Sequence, residues 1–302
     1  MFHADNAYFL GDSAIDGYRC LTHTVSNTAF RGFGGPQGMM TIEAAMDDIA
    51  RHRGEDPLTI RKRNLYGQGE RDVTPYQMTV EDNILPQLIE RLETTSDYWQ
   101  RRAAITEFNQ TSPIIKKGLA LTPVKFGISF TAKHLNQAGA LVHIYTDGSI
   151  HLNHGGTEMG QGLFTKVAQI VALEFDVALE TVQVSATRTD KVPNTSPTAA
   201  SSGTDLNGKA AQNAARAIKQ RLIEFACDHY GLRPDEVSFK AGKVTLGDNI
   251  IDFADLVQTA YLNRISLSAN GYYRTPKLEW DAENGKGRPF LYFAYGASCS
   301  EV

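Results

Sequence analysis

The 302-residue sequence predicts a mixed helix and sheet fold of the α+β class, on three observations. Over 205–230 apolar residues recur at helical spacing, with Ala210, Ala214, Ile218, Leu222 and Phe225 on one face. The stretches 140–145 and 149–154 flank Thr146-Asp147-Gly148, whose Asp-Gly pair supplies the positive φ of a tight hairpin turn. Before Lys117 the patterns are helical, and after it strand signals and helix signals mix.

The elements follow in order. Residues 36–53 read as a helix: Pro36 suits a first turn, Met39, Met40, Ile42, Ala45, Met46 and Ile49 recur at helical spacing, and Gly54 stops it. Residues 56–64 form a shorter helix with Asp56 as its N-cap. The polar run 67–75 reads as a linker between domains, and 80–92 and 97–108 as amphipathic helices. After the hairpin come a helix at 162–175 and a strand at 181–186. Gly231 ends the long helix; short strands at 237–239 and 243–246, a helix at 253–262 and a strand at 289–295 complete the chain.

Composition excludes several classes. The chain is 42% hydrophobic and 21% charged, with a net charge of −4. A chain of this length buries roughly 75% of the surface its unfolded state exposes. Mild acidity gives no ground for a nucleic acid or an anionic membrane as partner. No apolar run approaches the ~18 residues that span a bilayer, and the first residues lack the basic and apolar pattern of a signal segment. Cys20, Cys227 and Cys299 are odd in number and far apart, which reads as reduced thiols in a cytoplasm. Without a Cys-x-x-Cys pair, this chain itself is expected to hold neither an iron–sulfur cluster nor a structural zinc.

Two glycine-rich segments carry the chemistry: Phe30-Arg31-Gly32-Phe33-Gly34-Gly35-Pro36-Gln37, and Gly155-Gly156-Thr157-Glu158-Met159-Gly160-Gln161-Gly162. Glycine permits positive φ and close approach, so backbone N–H groups can face an anion or an oxo group. Neither segment ends in the Gly-Lys-Ser/Thr of a P-loop, and neither is a dinucleotide fingerprint.

Ser26-Asn27-Thr28-Ala29 with Phe30 to Gln37 resembles the molybdopterin-contacting loop of the xanthine dehydrogenase and aldehyde oxidase family of molybdenum hydroxylases. Gly155 to Gly162, running into Leu163-Phe164-Thr165-Lys166, resembles that family's second cofactor loop. Pro193-Asn194-Thr195-Ser196-Pro197-Thr198-Ala199-Ala200-Ser201 with Gly203-Thr204-Asp205 resembles the third. The three stand in family order, and the similarity covers essentially the whole chain. Gly34-Gly35-Pro36-Gln37 and Lys125-Phe126-Gly127-Ile128-Ser129-Phe130-Thr131 are similar to the xanthine branch, and Tyr18-Arg19-Cys20 to its bacterial separate-subunit form.

The resemblance implies a fold of the molybdopterin-binding type, truncated at both ends. It implies that 1–80 is the remnant of a first molybdenum cofactor-binding domain and 81–302 an incomplete second one. The implied reaction is hydroxylation of hypoxanthine and xanthine at a molybdenum–molybdopterin cofactor; the alternatives are an aldehyde or other N-heterocycle hydroxylase of the same family, or a non-catalytic folded module. Electrons would pass through 2Fe–2S clusters and FAD, on other domains or a partner subunit, to NAD in an oligomeric parent.

The same resemblance assigns the site. Gln161 would hydrogen-bond the apical oxo group of molybdenum, its amide being a neutral donor; a Gln capping the following helix is the plainer reading. Arg31 and Gly32 would lie beside the metal centre, with Arg31 buried and paired between Phe30 and Phe33. Gly160 would contact the cofactor, and Ala199 and Ala200 would lie next to molybdenum and leave room for its ligands. Ser201, Gly203 and Thr204 would surround the pterin or its phosphate at a helix N-terminus, or serve only as an N-cap. Phe33 and Phe130, which without the resemblance read as core residues, would sandwich the purine, with the Thr131 hydroxyl beside it. The general-base glutamate is expected outside this chain, Glu158 matching a structural position, and the fragment is expected to be inactive by itself. His154, His143 and His151 read as packed or surface strand residues.

Overall fold

A computed structural model describes residues 2–28, 30–191 and 194–302. It confirms a mixed helix and sheet architecture. The elements in order are α1 (Gly35–Arg53), α2 (Pro57–Asn64), α3 (Leu85–Thr95), α4 (Tyr98–Thr111), β1 (Leu119–Ile128), β2 (Gln137–Ile144), β3 (Ile150–His154), α5 (Leu163–Phe175) and β4 (Val182–Val184). They continue with α6 (Gly203–Tyr230), β5 (Val237–Lys240), β6 (Lys243–Leu246), β7 (Asn249–Asp252), α7 (Phe253–Leu262), β8 (Ser268–Arg274), β9 (Glu279–Asp281), β10 (Lys286–Arg288) and β11 (Tyr292–Glu301). Among the described residues no helix is long and apolar enough to cross a membrane. The chain divides into two compact units, Met1–Thr131 with Lys277–Val302, and Ala132–Pro276.

In the first unit, β1 pairs antiparallel with β11 along its whole length, from Leu119 opposite Glu301 to Ile128 opposite Tyr292. The far edge of β1 is met by side chains rather than by a strand. Asn6 Nδ2 donates to Pro123 O (2.9 Å), the Lys125 N–H donates to Asn6 Oδ1 (3.1 Å), and the Gly127 N–H donates to His3 Nε2 (2.9 Å). Proline lacks an N–H and is confined to such edges, which suits Pro123 to this place. Lys125 points inward and is fully buried, its Nζ 3.2 Å from Asp5 Oδ2 and 4.2 Å from the centre of the Phe293 ring. Tyr66 donates its hydroxyl to the same Asp5 oxygen (2.6 Å). Burial pulls the Lys125 pKa down, against the opposing pull of Asp5.

The helix at α1 differs from its expected face. Met39, Met46 and Ala50 are buried, but Met40 and Ile49 are exposed. The Asp56 cap forms as expected, its Oδ1 accepting from the Leu58 N–H at 2.8 Å. The helix expected at 80–92 begins only at Leu85, because Pro86 is tolerated in a first turn and not further in. The run 67–75, read as a linker, lies within the first unit, where its flanking residues Tyr66, Tyr76, Met78 and Val80 pack with Phe290 and Phe293.

In the second unit a four-stranded sheet runs β4-β3-β2-β8. The β2–β3 hairpin turns where expected: Gly148 has φ +84°, its N–H donates to Tyr145 O, and Asp147 Oδ1 accepts from the Ser149 N–H. β3 and β4 are parallel, joined through α5. α6 lies on the sheet through Ala210, Ala211, Ala214 and Ala215, all completely buried. Such short side chains let the helix approach closely, and Gly271 of β8 sits beneath them. A Cβ built at Gly271 would stand 1.9 Å from Ala210 O and 2.6 Å from Ala214 N. β5, β6 and β7 form a separate antiparallel sheet.

Candidate functional site

Phe33, Phe130, Thr131, Arg31 and Gly32 belong to the first unit; Gly160, Gln161, Ala199, Ala200, Ser201, Gly203 and Thr204 belong to the second. Ala29 of the first motif and Pro193 of the third lie outside the described residues.

The first loop is a succession of left-handed residues, with φ +94° at Gly32, +48° at Phe33 and +85° at Gly34, before α1 begins. The Phe33 N–H donates to Phe30 O (2.7 Å) and the Gly35 N–H to Gly32 O (2.9 Å). Gly35 packs against β1: a Cβ there would stand 2.6 Å from the Phe126 ring. Phe30 and Phe33 are both largely exposed, 81% and 77%. Arg31 is likewise exposed and makes no salt bridge among the described residues, contrary to the buried pair expected of it. Four residues beyond Phe126 stands Phe130, preceded by Ser129 at φ +145°. Ser129 is buried, and its Oγ accepts from the Leu291 N–H (3.2 Å). A non-glycine residue in that region costs of order 1–3 kcal/mol and persists only where its surroundings hold it.

In the second unit the other two loops are tied together. The Thr157 N–H donates to Thr198 Oγ1 (2.8 Å). A Cβ at Gly155 would fall on the Thr195 side chain, and one at Gly156 would stand 2.8 Å from Asn207 Nδ2. Asn207 Nδ2 in turn donates to Gly203 O (2.8 Å) in the first turn of α6.

Gln161 is held inside its own loop. Its Oε1 accepts from the Met159 N–H (2.6 Å) and its Nε2 donates to Thr157 O (2.8 Å), so the orientation of the amide is set. It does not cap α5. Glu158 does that, its carboxylate accepting from the N–H groups of Gly160, Gly162 and Phe164 at 2.9–3.1 Å. These bonds, chiefly that of Phe164, hold the carboxyl below the usual carboxylate range. Glu158 therefore acts as an anion internal to the loop.

Ala200 and Ser201 are consecutive left-handed residues, φ +55° and +56°. Ser202 stands at the N-cap of α6, its carbonyl accepting from the Leu206 N–H (2.9 Å) while its side chain makes no cap bond to the first turn, where Gly203 and Thr204 lie. In the second unit, backbone is open to approach at Gly160, where a Cβ would meet nothing within 4 Å. That openness, with the neutral Gln161 amide in the same loop, fits a large anionic pterin.

His154, at the end of β3, is completely buried. Its Nδ1 accepts from the Gly156 N–H (3.1 Å). Burial carries its pKa down to about 4, although the Glu158 charge opposes this. His3 in the first unit is likewise lowered to about 4, by burial and then by the Lys125 charge. Both histidines accept a backbone N–H as neutral rings, and the unfolded chain binds their protons first. Stability is thus complete above about pH 6.5 and declines as pH falls toward 4, by on the order of 2–3 kcal/mol per histidine. Urea melts at pH 7 and 4.5 are expected to show this loss, and His3→Asn or His154→Asn to reduce it.

Sequence reasoning missed Asn207, Thr198 and Ser129 as parts of the loop framework. Asn207 had a signal: a carboxamide on the stripe of α6 that continues into Ala210, Ala211 and Ala214 is a buried polar group needing a purpose.

The chain matches the molybdopterin cofactor-binding domain in two family models, over residues 1–65 and 91–302. It is 45% identical over 302 residues to the xanthine dehydrogenase/oxidase of Gallus gallus, and 44% over 305 to the xanthine dehydrogenase of Dictyostelium discoideum. Each comparison covers 100% of this chain, which spans 21% of the relative's length. Among solved structures, quinoline 2-oxidoreductase from Pseudomonas putida 86 superposes with a TM-score of 0.72 at 21% identity, over 90% of this chain and 36% of that one. Aldehyde oxidoreductase from Desulfovibrio gigas gives 0.69 at 24% identity, over 91% and 27%. Fold, loop order and family match agree: the chain belongs to the molybdopterin cofactor-binding domain family.

Proposed function

We propose that this chain is the molybdopterin-binding portion of a xanthine dehydrogenase that converts hypoxanthine to xanthine and xanthine to urate in purine catabolism. The observation that carries the reading is the bonding of the second loop to the third within one unit, around glycine backbone left open at Gly160. The likeness to xanthine dehydrogenases along the whole chain supports the substrate. Residues 1–80 and 81–302 are assigned to a first and a second cofactor-binding domain. 2Fe–2S clusters and FAD on other domains or a partner subunit take the electrons to NAD, in an oligomer. Three cysteines with no disulfide among them suit the cytoplasm.

When bound, the cofactor supplies the two-electron oxidation. The chain's own residues bind and orient. Gln161 offers a neutral amide whose orientation the loop fixes, and Arg31 and Gly32 line the cofactor from the first loop. Gly160 would contact the cofactor, and Ala199 and Ala200 would leave room for the metal and its ligands. Ser201, Gly203 and Thr204 donate to the pterin and its phosphate at the start of α6, where a helix N-terminus favours negative charge. Phe33 and Phe130 hold the flat purine, and Thr131 hydrogen-bonds it.

The test is a xanthine–NAD assay on the whole enzyme carrying this chain, beside an aldehyde. Turnover of xanthine is expected, with Phe33→Ala raising KM for xanthine roughly tenfold. Turnover of the aldehyde alone would overturn the substrate assignment.

A further inference from the structure

His154 stands where the sheet ends and the second glycine loop begins. Its Nδ1 accepts the N–H of Gly156, two residues on, so the imidazole closes a turn of the kind a carboxamide usually makes. A neutral ring has one proton, and an accepting Nδ1 places it on Nε2. That Nε2 is completely buried and has no hydrogen-bond partner among the described residues. No acceptor at Nε2 chooses the tautomer; the Gly156 N–H does. An apolar side chain of similar bulk would fill the space without burying a lone donor. The cost is borne for the Nδ1 contact.

The contact propagates. The peptide after Gly156 is fixed at both ends, Thr187 Oγ1 donating to Gly156 O (2.9 Å) and the Thr157 N–H donating to Thr198 Oγ1. Thr157 O then accepts the Gln161 amide. A continuous set of bonds thus runs from the imidazole through Gly156 and Thr157 to Gln161. A side chain at Gly156 would crowd this framework, its Cβ standing 2.5 Å from Leu163 Cδ2 and 2.8 Å from Asn207 Nδ2.

We propose that His154 is a positioning residue of the cofactor loop, its unprotonated Nδ1 setting the Gly156 peptide and, through Thr157, the orientation of the Gln161 carboxamide. Its bearing on the cofactor rests on the molybdopterin reading above; its bearing on the loop does not.

The test uses the 302-residue chain. ¹⁵N spectra of its histidines at pH 7 are expected to show one ring protonated on Nε2, with Nδ1 accepting a bond, and to lose that signal in every His154 variant. His3, whose Nε2 accepts the Gly127 N–H, is the ring expected to be protonated on Nδ1; an assigned His154 ring protonated on Nδ1 would overturn the proposal even if no variant folds. His154→Leu keeps the bulk and removes the acceptor; His154→Asn keeps an acceptor at the Nδ1 place and loses bulk. With Leu, amide exchange at Gly156 and Thr157 is expected to rise about tenfold, the loss of one buried hydrogen bond. Pterin carried by chain from a cofactor-making host should fall in parallel. Asn is expected to restore both, at a lower melting temperature. If Leu exchanges like the wild type, or keeps pterin better than Asn does, His154 only fills space and the proposal fails. Absence of pterin from the wild type would count against the molybdopterin reading, while the ¹⁵N and exchange results still decide the role of His154 in the loop.

Discussion

Gly271→Ala is expected to destabilise the Ala132–Pro276 unit by about 3 kcal/mol or more. The new methyl group would occupy the space of Ala210 O and Ala214 N, which are backbone atoms of α6 and cannot rotate away. Helix and sheet would have to separate, and the core built on Val142, Leu152, Ala211 and Ile218 would open with them. Gly208→Ala is the control. There a Cβ crowds Ile170 Cδ1, the mobile end of a side chain, with Thr204 Cγ2 at an ordinary 3.8 Å, and alanine gains about 1 kcal/mol in helix propensity. Urea unfolding of the two variants is expected to separate them clearly; equal stabilities would show that α6 is not seated on β8 as described.

Lys125→Met is expected to cost the first unit about 3–5 kcal/mol, because it leaves the Asp5 carboxylate buried without its cation. The loss belongs to the stranded charge rather than to a net value of the pair. Asp5→Asn combined with Lys125→Met removes both charges and is expected to recover most of the stability, with Tyr66 still bonded to residue 5. The two single variants and the double variant, measured by urea unfolding, form a cycle. Additive losses would mean that Lys125 and Asp5 do not act on each other.

What was legible in the sequence is what local chemistry decides. The Asp-Gly turn, the Asp56 cap and the alanine-rich face of α6 each depend on residues a few positions apart, and each is found where expected. What was not legible depends on distant partners. β1 carries a proline and an inward lysine, both of which argue against a strand. They are accommodated because Asn6 serves Pro123, and Asp5 with Phe293 receives Lys125. β8 has Asn270-Gly271 at its centre, a turn signal locally, yet glycine is what lets α6 approach. Residues 67–75 are polar enough to read as a linker, while the aromatic and apolar residues flanking them find Phe290 and Phe293 more than 200 positions away.

The site divides in the same way. The three loops are legible as motifs, and Glu158, which the sequence matches to a structural position, binds the loop's own N–H groups. Arg31 was expected to be buried because it stands between two phenylalanines, but both rings are themselves exposed. The bonds that Thr198, Asn207 and His154 make could not be read along the chain, although Asn207 had a signal on the buried stripe of α6. They join residues that come together only once β3, α5 and α6 are in place.

The central claim is that these loops hold molybdopterin. It is tested most directly by molybdenum and pterin analysis of the purified chain made in a host that synthesises the cofactor. The account predicts molybdenum and pterin in equal amounts, close to one of each per chain, and a marked loss of both in Gly155→Ala, where the new methyl group would displace Thr195 of the third loop. A folded chain carrying neither molybdenum nor pterin would contradict it.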